Sequence, residues 1–93
     1  MQLEAKVNIQ RSEGVAALGI PRERMEAIAQ EIALTGMTDS HWSKQRSYTV
    51  ALAYEWGPTP LVLFVRKDDL NFEVTFVLDS EVKQQGFRQA DKE

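Results

Sequence analysis

The sequence predicts an α+β domain in the order β-α-β-β-β, with a four-stranded, mostly antiparallel sheet packed on one main helix and a short C-terminal helix. Three observations lead there. Residues 48 to 78 hold three apolar or alternating segments in quick succession, separated only by turn-forming residues. A fourth alternating segment opens the chain. Between them, Met25, Ile28, Ala29 and Ile32 fall at i, i+3, i+4 and i+7 and make one apolar stripe of a helix.

In the opening segment Leu3, Ala5, Val7 and Ile9 alternate with Glu4, Lys6, Asn8 and Gln10. Successive strand side chains point to opposite faces, so this reads as a half-buried strand. Residues 11 to 20 read as a connection containing a helical turn, with Val15 and Leu18 tucked inward. Pro21 suits the first turn of the main helix, where its missing N–H has no intrahelical partner in any case. Gly36 offers a left-handed stop, which gives a helix over 21–35, about 22 Å long.

A polar loop over 37–47 carries one large apolar side chain, Trp42. Tyr48, Val50, Leu52, Tyr54 and Trp56 then share one side of a strand, with Thr49, Ala51, Ala53 and Glu55 on the other. After the Gly57-Pro58-Thr59-Pro60 turn, the unbroken run Leu61–Val65 suits a strand covered on both faces. A turn at Lys67-Asp68-Asp69 leads to a last strand, where Phe72, Val74, Phe76 and Leu78 alternate with Glu73, Thr75, Val77 and Asp79. Asp79 or Ser80 is positioned to cap a short helix over 81–85, Gly86 to end it and Phe87 to dock back. One domain over 1–87 and a polar tail over 88–93 result.

The Phe72/Val74/Phe76/Leu78 and Val50/Leu52/Tyr54 rows are expected to dominate the core. The opposite face of the sheet would carry Ala51, Ala53, Val77 and either Val62 with Phe64 or Leu61 with Leu63 and Val65. A face mixing small and large apolar residues fits a second sheet or a symmetry mate, so a homodimer is expected. The alternative is that the 11–20 segment or the C-terminal helix covers it within one chain.

Composition narrows the function classes. The chain has 93 residues and a net charge of −3, which disfavours the phosphate neutralisation on which nucleic-acid binding rests. Without cysteine there are no disulfides, thiolate nucleophiles or cysteine-ligated metals. No signal-like or membrane-length apolar run occurs, so a cytoplasmic protein without a membrane partner is expected.

Chemistry-bearing residues are few. His41 lies beside Asp39 and Ser40, but side chains adjacent in sequence rarely assemble the geometry of a triad. Asp68-Asp69-Leu70-Asn71 lacks the longer, glycine-containing pattern of a calcium loop and reads as a turn. No phosphate-binding glycine motif is present, and no cofactor or metal is expected. The Leu18–Arg24 segment resembles the turn before a DNA-recognition helix only faintly, because Glu23, Glu26 and Glu31 follow.

Tyr54, Trp56 and Arg66 near the hairpin, together with Trp42, are residue types favoured at binding hot spots. The sequence therefore points to a non-enzymatic protein-binding or inhibitory domain, of the kind found among phage-encoded inhibitors and immunity proteins, that occludes a partner's surface. That comparison rests on size and charge alone. A nucleic-acid-associated regulator is the second reading, and a small enzyme using His41 the third.

Overall fold

The computed structural model describes residues 6–38 and 47–84. Along the chain these form β1 (Lys6–Arg11), α1 (Glu13–Leu18), α2 (Arg22–Thr38), β2 (Ser47–Trp56), β3 (Thr59–Asp68), β4 (Asn71–Leu78) and α3 (Asp79–Lys83). The four strands make one mixed sheet in the order β1-β4-β3-β2. Both hairpins are antiparallel, and β1 lies parallel to β4 at the far edge. The expected α+β architecture is present.

Each helix starts and stops for a local reason. Ser12 caps α1: its side-chain oxygen accepts from the Val15 N–H at 3.2 Å. Gly19, at φ 70, closes α1 with a left-handed residue whose N–H donates to the Ala16 carbonyl at 3.2 Å. Pro21 stands just ahead of α2, its carbonyl accepting from the N–H groups of Arg24 and Met25. Gly36 does not end this helix, which continues to Thr38. Glycine permits a left-handed stop without imposing one, and inside a helix it costs only about 1 kcal/mol relative to alanine.

The C-terminal helix also begins earlier than expected. Asp79 and Ser80 belong to its first turn, and Leu78 occupies the cap position. Glu81 supplies what a leucine cap cannot, accepting the Leu78 N–H on Oε1 at 2.8 Å. Residues 85–87 and the tail lie outside the described residues, as do the opening Leu3 and Ala5 and the loop with His41 and Trp42.

The two hairpin turns are each two residues long. Gly57 has φ 60, as the first central position of a type II′ turn requires, and Pro58 accepts the negative φ that follows. Pro60 lacks an N–H but lies beyond the last β3–β4 pair, Leu61–Leu78, so no ladder bond is lost. The second turn is Asp69-Leu70 rather than Lys67-Asp68-Asp69. Lys67 and Asp68 extend β3, and Asp69 takes φ 58, a conformation that aspartate tolerates better than most residues.

Register decides which residues share a face. Ile9, Val74, Val65 and Val50 form one row across the sheet, and Arg11, Phe76, Leu63 and Leu52 the next. This side packs on α2 through Met25, Ile28, Ala29 and Ala33, with Val15 and Ile20 completing the buried core. Phe72, Val74 and Phe76 are fully buried, as expected. The Val50/Leu52/Tyr54 row is not: Val50 and Tyr54 are half-buried and Leu52 is exposed. Its place in the core is taken by Leu61, Leu63 and Val65 of β3. The cause is topological, because β2 is an edge strand while β3 and β4 occupy the centre.

Candidate protein interface

The side of the sheet turned away from α2 carries graded surface chemistry. At the β2–β3 hairpin end, Ala53, Val62 and Val77 form a row. Ala51, Phe64, Thr75 and Gln10 form the next, then Thr49, Arg66, Glu73 and Asn8. Val77 is fully buried on this side, Val62 and Phe64 are half-buried, and Ala51 and Ala53 are exposed. Cover therefore thins steadily from the centre of the sheet toward β2. Of the two registers open at the sequence level, Val62 and Phe64 face outward and Leu61, Leu63 and Val65 face the helix.

Polar groups border this apolar strip. Arg66 stands directly across from Glu73, an opposite-charge pairing of the kind that supports a sheet by a few tenths of a kcal/mol. Glu73 also accepts from the Gln10 side-chain amide at 3.2 Å. A shallow depression of about 160 Å³, bordered by Asn8, Arg66, Asp68 and Glu73, marks the polar end. A larger open groove of about 440 Å³ lies along the β1 edge, between β1 and α2, where Arg22, Glu23 and Glu26 line it; Asn8 borders both.

Of the residues singled out as binding candidates, the three that are described do not share one face. Trp42 lies outside the described residues. Tyr54 and Trp56 are half-buried on the helix side of β2 and pack against the core. The Arg24 guanidinium sits 5.8 Å from the centroid of the Trp56 ring, a cation–π contact that ties the start of α2 to the hairpin. Arg66 is exposed on the opposite face, beside Phe64 and Glu73 in register. The carboxylates are also apart: Asp69 lies in the turn before β4 and Asp79 just after that strand. Among the described residues no group of three or more His, Asp or Glu side chains is placed to hold a metal ion. No described helix is long and apolar enough to cross a membrane.

Sequence reasoning missed a polar joint where β1 and β4 end. The Ser12 hydroxyl, fully buried, donates to Glu81 Oε1 at 2.5 Å, and the Ser12 N–H donates to the Phe76 carbonyl at 2.9 Å. A Cβ built on Gly14 would stand 2.7 Å from Leu78 Cδ1 and 2.8 Å from Glu81 Oε2. This joint is structural: it locks α1 to the β4–α3 junction across 69 residues of sequence. Its one sequence signal was Ser12 immediately before a small-residue helix.

Comparison of the chain with protein-family models, curated proteins and solved structures found no match.

Proposed function

We propose that this protein is a non-enzymatic protein-binding domain that acts by occluding a partner protein's surface, in the manner of a small inhibitor. The observation that carries this reading is the outward strip of Ala51, Ala53, Val62 and Phe64, bordered by Arg66, Glu73 and Gln10. An apolar centre with a polar, charged margin is the anatomy of a protein–protein interface. An arginine and a large aromatic beside each other supply the residue types that carry most interface energy. Phe64 joins Arg66 as a leading contact residue, in place of Tyr54 and Trp56, which pack against the core.

The test is affinity capture from the native source, with circular dichroism confirming that every variant is folded. Phe64→Glu places a carboxylate in the centre of the strip and is expected to abolish capture. Arg66→Ala is expected to weaken it about tenfold. Glu26→Ala, on α2 in the groove between β1 and α2, is expected to leave it unchanged. Folded Phe64→Glu protein that captures the same partner as the parent chain would remove this reading.

A further inference from the structure

The two edges of the sheet are treated very differently. β1 is six residues long, begins with Lys6, ends with Arg11, and has α2 beside it with Arg22, Glu23 and Glu26 lining the intervening groove. Short length, charge and a covering helix are the usual means of protecting an edge from pairing. Among the described residues β2 has none of these. It is ten residues long and pairs with β3 from Ser47–Asp68 to Trp56–Thr59 without a bulge. It contains no proline, and Glu55 is its one charge.

Its backbone groups are correctly disposed for a further strand. The two-residue turn makes Trp56–Thr59 a hydrogen-bonded pair, so by alternation the even-numbered residues of β2 direct their N–H and C=O groups to β3. The odd-numbered residues, Thr49, Ala51, Ala53 and Glu55, direct theirs to the open edge. All four of these residues are exposed, and so is Leu52, at 38%.

We infer that β2 pairs antiparallel with β2 of a second copy of this chain, joining two sheets into one of eight strands. The sequence of the edge selects that occupant. With the two-fold axis at Leu52, Ala51 of one copy faces Ala53 of the other, Val50 faces Tyr54, and Leu52 faces itself. Glu55 faces Thr49, and the two Glu55 carboxylates stand about 20 Å apart at a strand rise of about 3.4 Å per residue. Small residues meet small residues on the outer side, and apolar residues meet apolar residues on the helix side. No like charges meet. Moving the axis to Glu55 would set two carboxylates directly opposite each other, which disfavours that register.

The same joint accounts for the exposed Leu52. Two copies related by an axis perpendicular to the sheet place both α2 helices on one side, with Val50, Leu52 and Tyr54 of each copy forming an apolar floor between them. The seven aligned positions span about 20 Å. A contact of this length is smaller than a standard interface, so dissociation is expected in the micromolar range rather than below it.

Sedimentation equilibrium of the full chain, from low micromolar to millimolar concentration, tests the inference without any partner present. The parent chain is expected to approach twice its 10.6 kDa mass. Leu52→Lys sets two ammonium groups across the axis and is expected to raise the dissociation constant about tenfold or more. Leu52→Glu should do the same alone, and an equimolar mixture of the two variants should recover the dimer. Ala51→Pro removes an outward N–H that β3 does not use and provides a second, uncharged block. Circular dichroism establishes that each variant is folded. A parent chain that stays monomeric to millimolar concentration would overturn the inference. So would folded Leu52→Lys and Ala51→Pro variants that dimerise like the parent, since the contact would then lie elsewhere. Capture of a partner through Phe64 stands or falls separately.

Discussion

At the scale of single residues, the most constrained point is the joint between Ser12, Gly14 and Glu81. Ser12 acts twice, capping α1 with its oxygen and donating its hydroxyl hydrogen to a carboxylate that also holds the Leu78 N–H. Hydrogen bonds to a charged acceptor are stronger than neutral ones, and an unsatisfied buried partner costs more than a lost bond. Ser12→Ala is therefore expected to destabilise the fold by about 2–3 kcal/mol, combining the lost cap with a carboxylate left short of a donor. Gly14→Ala tests a different cause. Its added methyl group meets the side-chain ends of Leu78 and Glu81 at distances below 3 Å. Glu81 is held by two hydrogen bonds, so overpacking is expected to outweigh the roughly 1 kcal/mol that alanine gains over glycine inside α1, for a net loss of about 1 kcal/mol. Urea denaturation of both variants reads the two values. A Gly14→Ala variant as stable as the parent would show that Leu78 and Glu81 give way freely.

At the scale of elements, the contrast lies between the central and edge strands. Leu52 and Leu63 are opposite each other in the β2–β3 register, the same residue type on the same face. Leu63 is 1% exposed and Leu52 is 38% exposed, because the helix and both neighbouring strands cover the centre of the sheet but not its β2 border. Leu63→Ala is expected to cost about 2–5 kcal/mol through lost burial and the cavity left behind. Leu52→Ala should cost a fraction of that in dilute, monomeric protein, where part of its side chain already meets water. Thermal denaturation at low concentration separates them, and equal losses would mean that α2 covers β2 as fully as β3.

At the scale of the whole molecule, self-association and stability become linked. A small domain buries a limited share of its surface, and one border of this sheet carries apolar side chains that meet water. If the folded chain pairs through β2 and the unfolded chain does not, mass action makes stability depend on concentration. The melting temperature of the parent chain is expected to rise with concentration across the micromolar range, while that of Leu52→Lys stays flat. Calorimetry at a series of concentrations measures this directly. Parallel behaviour of the two proteins would dissociate stability from the β2 edge.

Much of this fold was legible in the residues themselves, and for identifiable reasons. Alternation in residues 6–10 and 71–78, the Gly57-Pro58 turn and the Met25–Ile32 stripe each report a local periodicity or backbone demand. Local physics is enough to place such elements. Helix ends were less legible, since Gly36 and Asp79 allow a boundary without enforcing one. The strip of Ala51, Ala53, Val62 and Phe64 was legible as one of two registers for the sheet face away from the helix, but alternation alone left open which register held. Tyr54 and Trp56 looked equally suited to binding until the register turned them toward the core and left Arg66 on the far side.

What the sequence determined alone was the kind, order and patterning of the strands and helices, because side-chain period and turn chemistry act over a few residues. Which strand became the unguarded edge, and hence which leucine meets water and which face is open to a partner, was decided only by tertiary pairing. β1 inserts beside β4 through contacts spanning more than sixty residues, and no local signal encodes that choice.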